Sequence, residues 1–164
     1  MSYLLKHNLL FILIISFFAR IFGILMFRDL EVDHEWGILL SNLELFGVLS
    51  VHTVQGEIVP NIFMPPLYPL FLYLIKIFFN NIDTFLWTVQ FTQLFLSLIT
   101  IFLTYRILLN FFSKNLSIIG TLVFALFPLN IYAVSQISSI TLQVFLLNVF
   151  LYSYFKLFKN INFK

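Results

Sequence analysis

Asp29, Glu31, Asp33 and Glu35 put four carboxylates within seven residues, in the stretch Arg28-Asp29-Leu30-Glu31-Val32-Asp33-His34-Glu35-Trp36-Gly37. Carboxylates this close together can provide a general base, hold a divalent cation, or serve only as a solvated connector. His34 and His52 invite the metal reading, but their separations from Asp33 and Glu35 match no recognised ligand spacing. A divalent ion is kept as an alternative, and the motifs call for no cofactor. The chain has no Cys, which excludes a disulfide framework, a zinc ribbon and a thiol nucleophile. It also shows neither a Gly-rich phosphate loop nor a Ser-His-Asp arrangement, so nothing points to a nucleotide-linked donor.

The surroundings of these acids decide the class of protein. Of 164 residues, 61% are hydrophobic and 10% charged, with a mean hydropathy of +1.02. A soluble domain is about 45–50% apolar and roughly 25% charged. A globule of this size has too much surface for its volume to hide so much apolar material from water. The composition therefore excludes a soluble enzyme and a disordered tail. The net charge of +2 is too small for a nucleic-acid partner. An integral membrane protein of the plasma or inner membrane is expected, with the bilayer as its surroundings.

The charges are partitioned along the chain. All seven carboxylates, Asp29, Glu31, Asp33, Glu35, Glu44, Glu57 and Asp83, fall in one interval, while Lys6, Arg106, Lys114, Lys156, Lys159 and Lys164 lie outside it. Apolar runs at residues 9–27, 85–105, 116–134 and 139–157 are each long enough to cross a hydrocarbon core of about 30 Å. The first is longer than a signal peptide's apolar region and no A-x-A site follows, so it reads as an uncleaved anchor. Within it, Arg20 either snorkels outward or faces an interior carboxylate or phosphate. Residues 70–79, interrupted by Lys76, are too few for a simple span and fit an interfacial or re-entrant helix. The expected fold is one all-α integral membrane domain over residues 1–164. It has about four transmembrane helices, with juxtamembrane or re-entrant helices in a first outer loop at 28–84. Four spans put Lys6, the Arg106–Lys114 loop and the Lys-rich tail together on the cytoplasmic side and every acid outside. If residues 66–80 also cross, there are five spans and the basic ends separate.

The order of features resembles the GT-C class of glycosyltransferases, the superfamily of protein O-mannosyltransferases and of aminoarabinose transferases acting on lipid A. The matching residues are Asp33, Trp36, Asn42-Leu43, Gly47 and the block Met64-Pro65-Pro66-Leu67-Tyr68-Pro69-Leu70. Farther on, Ala125-Leu126-Phe127-Pro128-Leu129-Asn130-Ile131-Tyr132 and Gln136-Ile137-Ser138-Ser139 continue the likeness. Three positions depart from the family pattern: His34 separates Asp33 from Glu35, Met64 stands where a Lys or His often precedes the prolines, and Ile140 replaces a Glu.

The resemblance implies transfer of a sugar from a polyprenyl-phosphate carrier to an acceptor on the outer face, the acceptor being a glycan, lipid or protein. Asp33 is then the base that takes the acceptor hydroxyl's proton, with Glu35 in reserve; such help is typically worth about 10²–10⁴ in rate. The departing lipid phosphate needs a cation, and Arg28 and Lys76 are the candidates. Trp36, Asn42, Pro65, Pro66 and Tyr68 complete the expected binding set, the aromatic residues stacking on sugar or isoprenoid. Each has a plainer alternative: Arg28 as an interface anchor, Lys76 as a snorkelling side chain, and the aromatics as members of an interfacial belt. The family's members run to several hundred residues, so the resemblance also implies a partial or truncated chain. The alternative function is a non-catalytic relative that binds a lipid carrier or a partner. A small transporter subunit is the third reading, disfavoured because the spans hold almost no acids to line a path.

Overall fold

The computed structural model describes residues 2–32, 34–54, 57–60, 64–79 and 81–161. In chain order the elements are α1 (Ser2–Phe27), α2 (His34–Phe46), β1 (Thr53–Val54), β2 (Glu57–Ile58), α3 (Leu67–Lys76), α4 (Ile82–Leu108), α5 (Lys114–Ala125), α6 (Pro128–Ser135) and α7 (Ile140–Ile161). The strands pair antiparallel, Thr53 opposite Ile58 and Val54 opposite Glu57. Three helical stretches are long and apolar enough to cross a membrane: Asn8–Phe27, Ile82–Leu108 and Ile140–Phe158. α5 and α6, bent by 46° across a short break, make a fourth if counted as one span. α3, at ten residues, is too short to cross.

The backbone gathers into two compact units, Met1–Arg28 with Thr92–Lys164, and Asp29–Phe91. The second unit contains all seven carboxylates of the chain.

In the first unit, α1 packs against α5 and α6, and α6 against α7. Its interior mixes small and polar side chains with Ile12, Ile24, Leu94 and Ile101. α1 buries Ile12, Ser16, Arg20 and Ile24, four residues apart and so on one face; α5 buries Ser117, Thr121 and Ala125 at the same spacing. α4 contributes Gln93, Ser97, Thr100 and Ile101. Many large apolar residues, among them Phe11, Phe18, Phe22, Phe150 and Leu157, are exposed. Close helix contact through small residues, with apolar bulk outside, is how helices associate in lipid. Two interior hydroxyls are satisfied along their own helices: Ser16 donates to the carbonyl of Ile12 at 2.6 Å and Thr121 to that of Ser117 at 2.6 Å.

The run at 116–134, expected as one span, is two helices. Pro128 has no N–H to continue the ladder, and it holds Phe127 extended at φ −62°, ψ 122°. The carbonyls freed at the end of α5 find other donors. That of Phe124 receives the Phe127 N–H at 3.4 Å and Asn130 Nδ2 at 3.1 Å, and that of Ala125 receives Arg20 Nη1 at 3.0 Å. Apolar surroundings tolerate a helix break only when its polar groups are met in this way.

In the second unit, α2 packs on α3 through Leu39, Leu40, Tyr68 and Leu72, with Phe85, Leu86 and Val89 of α4 also buried.

Candidate functional site

The acidic stretch becomes the start of α2. Glu35 lies in its first turn, half-buried, where a negative charge is favoured by the unpaired N–H groups and positive end of the helix. Asp33, the expected base, lies outside the described residues. Just after it the backbone is tight: a Cβ on Gly37 would stand 2.5 Å from the Val32 carbonyl oxygen, closer than a side-chain carbon can approach.

Trp36 and Tyr68, thirty-two positions apart in sequence, meet edge to face at 4.9 Å between ring centroids, with planes at 74°. Tyr68 also stacks on Phe71 at 5.8 Å. Aromatic pairs in this geometry contribute about 0.5–1.5 kcal/mol beyond the area they bury. The contact joins the acidic segment to the Pro-Pro block. Pro65 and Pro66 are exposed, and Pro66 caps the start of α3, a position suited to its fixed φ. Tyr68 is 2% exposed, so its ring supports Trp36 instead of offering a free face to a ligand. Burial, and then the negative charge of Asp29, push its phenol above the usual tyrosine range. Trp36 stays half-exposed.

Asn42 has a local duty. Its Nδ2 donates to the carbonyl of Ser50 at 2.9 Å, and the Ser50 hydroxyl donates to the carbonyl of His52 at 2.7 Å. Between them α2 ends on Gly47, at φ +69°, whose N–H returns to the Leu43 carbonyl at 3.1 Å. This is the left-handed helix stop that glycine adopts without cost. The Asn-Leu…Gly spacing therefore has an architectural explanation in this chain. Lys76, the last residue of α3, sets its Nζ 5.5 Å from the ring centroid of Phe85, a cation–π contact. Arg28 follows α1 in the other unit. It is half-buried, and its N–H donates to the Ile24 carbonyl at 3.2 Å. So Glu35, Trp36, Asn42, Pro65, Pro66, Tyr68 and Lys76 share one compact unit, and within it Trp36 and Tyr68 touch. Among the described residues no three His, Asp or Glu side chains come together to hold a metal ion.

In the first unit, the Gln136-Ile137-Ser138-Ser139 segment closes the end of α1. Gln136 Nε2 donates to the Phe27 carbonyl at 2.6 Å, and Gln93 Nε2 donates to the carbonyl of Gln136 at 2.8 Å. Of the courses that its sequence position offers, Arg20 does not take the first. It does not snorkel, being fully buried, and its guanidinium meets neutral oxygens instead of a carboxylate: Ser97 Oγ from Nε at 2.7 Å, and the carbonyls of Ser16 and Ala125 from Nη1 at 3.2 and 3.0 Å. The only signal for this in the sequence was a charge inside an apolar run; two of its three partners lie 77 and 105 positions away. Comparison of the chain with family models, with curated proteins and with solved structures gives no match in any of the three.

Proposed function

We propose that the chain is a membrane glycosyltransferase, or the N-terminal part of one, which moves a sugar from a polyprenyl-phosphate donor to an acceptor hydroxyl at the outer face of the plasma or inner membrane. The observation that carries this reading is the Trp36–Tyr68 contact, because it gathers the two most distinctive segments of the resemblance into one cluster. In this reading α1, α4, the bent α5–α6 pair and α7 are the four spans, and the acidic unit faces outward. Asp33 removes the acceptor's proton as the anomeric carbon is attacked, with Glu35 in reserve. Trp36 offers its exposed edge to the sugar, and Lys76 or Arg28 meets the phosphate that leaves with the isoprenoid.

With a polyprenyl-phosphate sugar supplied to membranes, Asp33→Asn is expected to abolish transfer, a loss of about 10²-fold or more, without lowering the membrane abundance of the protein. Full activity in that variant removes Asp33 as the base. The structural duties of Asn42 and Lys76 favour a second reading, a non-catalytic subunit that binds a lipid carrier or a partner. That reading predicts retention of polyprenyl phosphate with no transfer by the unaltered chain.

A further inference from the structure

At one end of the first unit, three cations stand where the unit has no anion to offer them. Arg106 lies in the last turn of α4, Lys114 opens α5, and Lys156 lies near the end of α7. Two contacts bring these places together. Thr104 Oγ1 and Asn148 Oδ1 meet at 3.0 Å, and seven positions further along each segment the rings of Phe111 and Phe155 meet edge to face at 5.0 Å. α4 and α7 therefore run side by side to this end, and the turn at 109–113 between α4 and α5 lies against α7. Every Asp and Glu lies between Asp29 and Asp83, so no carboxylate side chain belongs to this unit. The carbonyl end of α4 gives Arg106 part of a counter-charge, but α5 does the opposite for Lys114, which sits where unpaired N–H groups already make the potential positive. Helix electrostatics does not account for that lysine.

The same end carries exposed rings among its cations. Arg106 and Lys156 are exposed and Lys114 is half-buried. Between the first and third of these in sequence, Phe111 and Phe112 are 59% and 53% exposed in the turn. Next to Lys156, Leu157 and Phe158 are likewise exposed, and Phe158 stacks on Tyr154 at 6.0 Å between ring centroids. Phenylalanine and leucine interleaved with lysine and arginine is the composition of a segment seated at a bilayer surface, its rings among the upper acyl carbons and its cations at the headgroups.

The two properties together select one partner. A soluble anion meets the cations but leaves the rings in water. A lipid without net charge covers the rings but leaves the cations unbalanced. We propose that Arg106, Lys114 and Lys156, set around Phe111, Phe112 and Phe158, form a docking surface for anionic phospholipid headgroups. On the four-span reading this end faces the cytoplasm, where acidic lipids give the leaflet a negative surface potential that draws basic juxtamembrane segments to it. The surface uses none of the residues assigned above to sugar transfer, so either proposal can fail alone.

The test is thermal unfolding of the full chain in micelles of a non-ionic maltoside detergent, titrated with phosphatidylglycerol, with phosphatidylcholine, or with inorganic phosphate at matched ionic strength. Phosphatidylglycerol is expected to raise melting by a few degrees at saturation, and the other two to raise it much less. A cation near an anionic surface is worth about fivefold in affinity. Replacing Arg106, Lys114 and Lys156 together by Gln should therefore raise the phosphatidylglycerol concentration at half-maximal effect at least tenfold. Lys156→Gln alone, at an exposed position, should raise it about fivefold and decides the matter if the triple variant does not fold. No rise with phosphatidylglycerol, an equal rise with phosphatidylcholine or inorganic phosphate, or an unchanged half-maximal concentration in either variant overturns the proposal.

Discussion

Tyr68 holds its proton above the pH at which a free tyrosine loses it, because its hydroxyl is taken out of water and Asp29 adds negative charge to the field around it. The consequence for stability has a definite sign. Above pH of about 10 the unfolded chain releases this proton while the folded chain keeps it. The unfolded state then binds fewer protons, and stability falls as pH rises. The contribution of Tyr68 is fully present below about pH 10 and is lost above it. Melting followed across that range should show a decline that is shallower in Tyr68→Phe; identical slopes would mean that the phenol is wetter than its burial implies. The same side chain shows what a sequence leaves open at this scale. Trp36 and Tyr68 stood out as candidate aromatics, and the structure assigns them different work, since one ring is covered by the other. Asn42 stood out by its spacing, and the spacing proves to be that of a helix stop with Gly47. Residue type and separation identify what a position can do, but only packing shows which of its options is used.

At the scale of elements, α1 approaches α6 over Gly23, where an added Cβ would meet Ile131 Cγ2 at 3.0 Å and the Ile131 carbonyl oxygen at 3.4 Å. The methyl can move by a few tenths of an ångström, but the backbone carbonyl cannot follow a longer side chain. Gly23→Leu is therefore expected to prise α6 from α1 and cost about 1–3 kcal/mol. Because the Phe27 carbonyl is held by Gln136, the loss should also appear as faster hydrogen exchange at the end of α1. Unchanged melting and exchange would show that the contact yields. The long apolar helices were legible in the sequence to within several residues, since a run of about twenty mostly apolar positions admits few arrangements. The break between α5 and α6 was less so. Pro128 was visible, but a proline inside a span can either kink it or end a helix, and the outcome depends on which donors reach the freed carbonyls. Those donors are Asn130, nearby, and Arg20, on another helix.

On the scale of the whole molecule, the partition of charge and the partition of the backbone coincide. The boundary between Arg28 and Asp29 separates a unit with no acidic side chain from one that holds all seven. The charges mark residues 28–84 as an acidic loop within one domain, close to but shorter than the unit Asp29–Phe91. Reporter fusions placed after α4 at Asn110 and at the C-terminus should both report cytoplasm, as four spans with basic ends inside require. A split result would mean that one apolar segment has been miscounted. The bond from Arg20 to the Ala125 carbonyl also carries a demand in time. On the reading of α1 as a span, its guanidinium enters the bilayer 105 residues of synthesis before the carbonyl that receives it exists. At about 5–20 residues per second, that interval lasts roughly 5–20 seconds. Until then the chain offers the charge only the Ser16 carbonyl of its own helix and, 77 residues on, the Ser97 hydroxyl. The first helix should therefore linger at the insertion machinery until the fifth helix has emerged.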